Sequence, residues 1–128
     1  MGMNRIWTRR TWLALAACGG FLSVAVGAFA AHGVHDARAA ELLRTGATYS
    51  FMHSLATFAC ALVVSLGGTR ARHAPTFFLG GIVLFSGSLY ALAAGAPSLA
   101  GIITPFGGLG FLIGWVILAW ACLDVDRA

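Results

Sequence analysis

Residues 73–123 read HAPTFFLGGIVLFSGSLYALAAGAPSLAGIITPFGGLGFLIGWVILAWACL, 51 positions without one Asp, Glu, Lys or Arg. A helix rises about 1.5 Å per residue and the hydrocarbon of a bilayer is about 30 Å thick, so about 20 apolar residues make one crossing. This stretch holds two crossings if it breaks near its middle. Ala96-Pro97-Ser98, between Gly95 and Gly101, supplies the break, because proline lacks an N–H donor and disfavours helix in the residue before it. Two more uncharged stretches lie upstream, 25 residues between Arg10 and Asp36 and 25 between Arg44 and Arg70. Each is long enough for one crossing. The reading is a single all-α domain over 1–128, an integral membrane four-helix bundle. Its helices fall at roughly 11–31, 47–67, 75–95 and 102–122, running up-down-up-down.

Composition agrees. Of 128 residues, 59% are hydrophobic and 9% charged, against about 25% charged in an ordinary soluble domain. That is too few charges to cover a soluble globule or to keep a chain disordered. The net charge of +4 comes from eight scattered arginines, which form no basic patch, so a nucleic-acid partner is not implied. Their placement speaks of topology instead. Arg5, Arg9, Arg10, Arg70, Arg72 and Arg127 fall at one end of the bundle and only Arg38 and Arg44 at the other. The positive-inside rule then puts both termini in the cytoplasm. The implied location is the cell inner (plasma) membrane, multi-pass, with the lipid bilayer as first partner. Beta structure is the weaker reading, since lipid-facing strands alternate apolar and polar residues and these stretches do not.

The N-terminus carries partial targeting signals: Arg9-Arg10 resembles a twin-arginine signal, Leu15-Ala16-Ala17-Cys18 a lipoprotein box, Ala28-Phe29-Ala30 a peptidase site. Only six residues, Trp12 to Ala17, separate Arg10-Thr11 from Cys18, short for an h-region of about 7–15. An uncleaved first span is the expectation.

No titratable carboxylate, lysine or arginine lies inside a span, which disfavours a pump or acid/base transporter. The polarity that remains gathers toward one leaflet. His32 ends helix one, Tyr49 and His53 begin helix two, Ser86 and Tyr90 share a face of helix three, and Thr104 opens helix four before Pro105. This candidate cluster serves either to bond helices together or to line a small outward-facing site for a lipid, a quinone or a haem. Between helices one and two, Val34–Gly46 suggests a short outer-side surface helix capped by Asp36, with Arg38, Glu41 and Arg44 along it. Small residues mark packing faces: Gly19, Ser23, Gly27 and Ala31 at spacing four on helix one, and Gly110 and Gly114 on helix four. Cys18, Cys60 and Cys122 show no metal-ligand spacing and read as small reduced hydrophobes. No phosphate loop, carboxylate pair or nucleophile–base pair is present, so neither catalysis nor a cofactor is implied.

Several of these segments resemble the signatures of one family. Gly27-Ala28-Phe29-Ala30-Ala31-His32-Gly33 is similar to its GAFGAHG segment, with Ala30 in place of the usual glycine. Tyr49 through His53-Ser54-Leu55-Ala56 is similar to its tyrosine-to-HALA segment. Phe85-Ser86-Gly87-Ser88-Leu89-Tyr90 matches FSGSLY, and Ile103-Thr104-Pro105-Phe106-Gly107-Gly108 with Gly114-Trp115 resembles ITPxGG…GW. Thr45-Gly46-Ala47-Thr48 is a looser version of what precedes the tyrosine. The family is domain of unknown function 423, which includes eukaryotic transmembrane protein 256. The resemblance implies a small four-helix membrane protein without an established activity, and it adds no catalytic residue. The resulting expectation is a non-enzymatic accessory or scaffold protein, with a membrane-protein partner or a second copy of itself. The alternative is a binder or carrier of a small ligand at the polar cluster.

Overall fold

The computed structural model describes residues 6–127, and among them every regular element is helical. Four long helices follow one another: α1 (Arg9–His32), α2 (Ala37–Ser65), α3 (Ala74–Ala93) and α4 (Thr104–Cys122). Short 3-10 segments, Thr69–His73 and Ser98–Ile102, lead into α3 and α4. All four are long and apolar enough to cross a membrane.

Local chemistry explains the ends. Thr8 caps α1 through a hydrogen bond from the Thr11 amide, and Asp36 caps α2 by accepting from the Ala39 amide at 2.8 Å. Pro75 and Pro105 sit in the first turns of α3 and α4, where a missing N–H costs nothing. The break between α3 and α4 falls where Gly95 takes a positive φ of 99° and Pro97 an extended backbone.

One expected element is not separate. The short surface helix between the first two spans is the beginning of α2, which runs unbroken for 29 residues. Asp36 does cap it, but nothing after Asp36 ends it. Gly46 alone costs only about 1 kcal/mol relative to alanine and cannot stop a helix supported on both sides. Arg38, Glu41 and Arg44 mark where the helix leaves the hydrocarbon, not where it starts.

Consecutive helices pack on one another, and α2, α3 and α4 also share a centre. The core is fully buried Phe78 among Ala56, Cys60, Ala71, Ala74, Leu118 and Ala121. Such small residues let backbones approach closely, which is what packing in lipid requires. Gly114 faces the Phe78 ring, Gly81 faces Phe111, and Gly107 faces Phe85. Two phenylalanine rings thus seat in the notches at Gly81 and Gly114, and at Gly107 the α4 backbone lies directly on the backbone of Phe85. Helix α1 is peripheral and packs mainly on α2, with only 17% of its most apolar stretch buried. Beyond α4 the chain returns to the α2–α3 connection: the Asp126 amide donates to Leu66 O at 3.0 Å, and Asp124 pairs with Arg70, whose guanidinium stacks over Trp120 at 4.4 Å.

The notches make a direct prediction. A Cβ on Gly107 would stand 2.7 Å from Phe85 Cβ and also meet its backbone, so Gly107→Ala forces α3 and α4 apart and destabilises by about 1–3 kcal/mol. Gly87 has open space at the same distance, so Gly87→Ala leaves stability unchanged or slightly raised. Thermal unfolding in detergent separates the two.

Candidate functional site

The polar face of α2 is set by helical spacing. Gly46, Ser50, His53, Thr57 and Cys60 recur three or four residues apart and are all buried, forming one stripe. His53 lies at its middle, 4% exposed. Its Nδ1 lies 2.7 Å from the Tyr49 carbonyl oxygen, and the Trp115 indole N–H of α4 donates to its Nε2 at 3.0 Å. An indole can only donate, so Nε2 carries the lone pair. Nδ1 then holds the proton and donates to Tyr49 O. This assigns the neutral Nδ1–H tautomer, with both nitrogens engaged.

The ring is also enclosed. Phe111 stacks on it with centroids 3.6 Å apart and 9° between planes. Phe78 lies tilted at 5.6 Å and Trp115 edge-on at 5.9 Å. Tyr49, half exposed, covers the outside, stacking near His53 at 6.2 Å and touching Phe85 at 4.7 Å. His53 therefore belongs to an aromatic box built by α2, α3 and α4.

Two further links join the helices. Ser86 Oγ donates to Gly46 O at 2.6 Å in a buried bond between α3 and α2. The Tyr90 ring lies on Gly46 so closely that a Cβ there would come 2.6 Å from it. Ser88 gives its single proton to Phe85 O at 2.8 Å, so Thr104 donates to Ser88 Oγ at 2.5 Å and ties the start of α4 to α3. The Tyr90 hydroxyl and the Ser54 Oγ are buried without a partner among the described residues.

The six candidate residues thus separate into groups. Tyr49 and His53 share the aromatic box, Ser86 and Tyr90 clasp Gly46, and Thr104 binds Ser88. His32 stands apart, exposed at the end of α1. A site bordered jointly by His32, His53 and Tyr90 does not form, and ligation of a haem by His32 and His53 does not fit, since the free lone pair of His53 is already taken. On the packing faces, Gly19 sits against Ser54, and Ser23 is buried with its hydroxyl on Gly19 O at 2.7 Å. A Cβ on Gly27 would meet nothing within 4 Å and Ala31 is exposed, so only the first half of that stripe forms a close contact within the chain. Gly110 and Gly114 both face α3.

Sequence reasoning passed over Trp115 as a partner of His53. The signal was its depth: a tryptophan at an interface reaches headgroup water, but one in the middle of a span needs an acceptor from the protein.

Residues 26–108 match the family model described as "Protein of unknown function (DUF423)". The chain belongs to this family. It is 45% identical to a UPF0382 membrane protein of Haemophilus influenzae over 88% of this chain and 93% of that one. It is 37% identical to the UPF0382 inner membrane protein YgdD of Escherichia coli K12, covering 94% and 95%, and 35% identical to the UPF0382 membrane protein YwdK of Bacillus subtilis, covering 89% and 97%. No solved structure matches. The DUF423 chain is a multi-pass protein of the cell inner membrane, and its relatives carry no named activity.

The tautomer gives a test. Nitrogen-15 NMR of histidine-labelled protein shows His53 with a protonated Nδ1 and a bare Nε2. Trp115→Phe leaves that lone pair without a donor in hydrocarbon and costs about 1–2 kcal/mol, with the Nε2 resonance moving as its hydrogen bond is lost.

Proposed function

We propose that this protein is a non-enzymatic accessory or scaffold subunit of an inner-membrane assembly. The observation that carries the reading is how His53, the deepest titratable side chain of the cluster, is used. Both nitrogens are engaged with other helices or its own, and an aromatic stack closes over it. A general base or a ligand-binding imidazole needs a free nitrogen facing a substrate; this one holds α2 against α4. The polarity inside the bundle serves shape, and the outward faces are left for recognition.

Those faces suit a transmembrane helix. Gly80 has open space where a Cβ would stand, in an apolar trough between α3 and α4 walled by Phe77, Leu84, Phe106, Leu109 and Ile113. Small residues at the floor of such a trough let another helix approach closely. The arginine distribution supports an up-down-up-down path with both termini in the cytoplasm.

Purification in mild detergent with chemical cross-linking is expected to recover a defined membrane-protein partner or a second copy of this chain. Gly80→Leu fills the trough from a position where a Cβ meets nothing within 4 Å, so it releases the partner and leaves thermal unfolding unchanged. Repeated isolation of a lone monomer overturns the proposal. For the path, a fluorescent reporter fused after Ala128 is expected to fold in the cytoplasm; alkaline phosphatase activity at the same position reverses the orientation.

A further inference from the structure

Between α1 and α2, near the charged beginning of α2, lies a second groove that shares no residue with the aromatic box. Its walls are Val24 and Gly27 of α1 and Ala47, Phe51 and Met52 of α2, and it is an open surface groove of about 320 Å³. Ser23 and Thr48 also line it, but their hydroxyls are spent on the helix backbone, on Gly19 O at 2.7 Å and Arg44 O at 2.8 Å. The body of the groove is therefore apolar. At its mouth stands Arg44, exposed. Among the described residues the ion pairs are those of Asp124 with Arg70 and Arg127; Arg44 makes none, and Glu41, one turn before it on α2, does not line this groove.

Arg44 also marks a depth. It is the last charge before 25 uncharged residues, which places its guanidinium where hydrocarbon gives way to headgroups. An apolar trough ending in an unpaired guanidinium at that level is complementary to one kind of molecule, an amphiphile with an acyl chain and a phosphate head. Guanidinium binds phosphate through two parallel hydrogen bonds.

We propose that the α1–α2 groove holds one anionic phospholipid, its phosphate on Arg44 and one acyl chain running over Gly27 and Ala47 to Phe51 and Met52. This lipid is retained, in contrast to the exchanging lipids around the rest of the bundle.

Native mass spectrometry of the full chain in detergent, with added palmitoyl-oleoyl phosphatidylglycerol, tests the proposal. One lipid is expected to stay bound at collision energies that strip the others. Arg44→Gln lowers the retained fraction by roughly tenfold, the size of one charge-assisted contact. Gly27→Leu extends into the groove from a position where a Cβ meets nothing within 4 Å, and lowers retention to the same extent with unchanged thermal unfolding. Arg38→Gln removes a nearby charge outside this groove and leaves retention as it was. Equal retention in the wild type, Arg44→Gln and Gly27→Leu overturns the site. So does an equal loss in Arg38→Gln, which reduces the effect to general surface charge, and so does competition by glycerol phosphate lacking acyl chains. A photoreactive side chain placed at Val24 in native membranes is expected to label lipid; capture of a polypeptide there overturns the assignment in favour of a helix.

Discussion

A hydrogen-bonding group in hydrocarbon has no water to fall back on, and His53 has two such groups to satisfy. The Tyr49 carbonyl takes one. The other is met only if α4 brings Trp115 to the right height and rotation. Once that bond forms, Phe111, one helical turn before Trp115, falls flat on the imidazole, and Phe111 in turn needs the notch at Gly81 on α3. The rotation of three helices thus follows from one donor and one acceptor. The individual bond is modest, about 0.6 kcal/mol on average between membrane helices. Its influence comes from geometry, because the aromatic packing that depends on it is close and directional.

The spans were legible in the sequence because charge is costly in lipid and its absence over 20 or more residues is unmistakable. The turn at Ala96-Pro97-Ser98 and the Asp36 cap were legible for equally local reasons. The beginning of α2 was not. A charge ends the membrane-embedded portion of a helix, but it does not end the helix, and reading Arg44 as a boundary confuses solvent with backbone. Trp115 illustrates a second limit. Its partner is 62 positions away, and the pairing depends on how two helices rotate about their axes, which spacing along one chain does not encode. The small-residue faces were half legible: Gly114 marks a close approach, but only the fold says that Phe78 fills it. Gly27 has the same spacing as Gly19 and faces empty space.

The helices also differ in what holds them. Three share the core around Phe78, and the return of the chain from α4 to Leu66 and Arg70 closes that unit at one end. Helix α1 packs on α2 through Gly19 against Ser54 and through buried Trp12, Ala16, Ser23 and Ala30, and presents its remaining apolar surface to its surroundings. Helix α1 therefore stands outside the shared core but is joined closely to α2 along its length.

The length of α2 has a consequence of its own. Between Arg44 and its last residue, Ser65, the helix has 21 uncharged positions, about 32 Å along its axis, close to the thickness of an average bilayer core. Arg44 above and the Arg70–Asp124 pair below cannot be drawn into hydrocarbon cheaply, so the two act as stops at a fixed spacing. Because α1 and α3 both pack along α2, and α4 along α3, a thinner bilayer cannot be met by shifting α2 alone. The whole unit must tilt, which makes the protein's inclination a measure of the membrane around it.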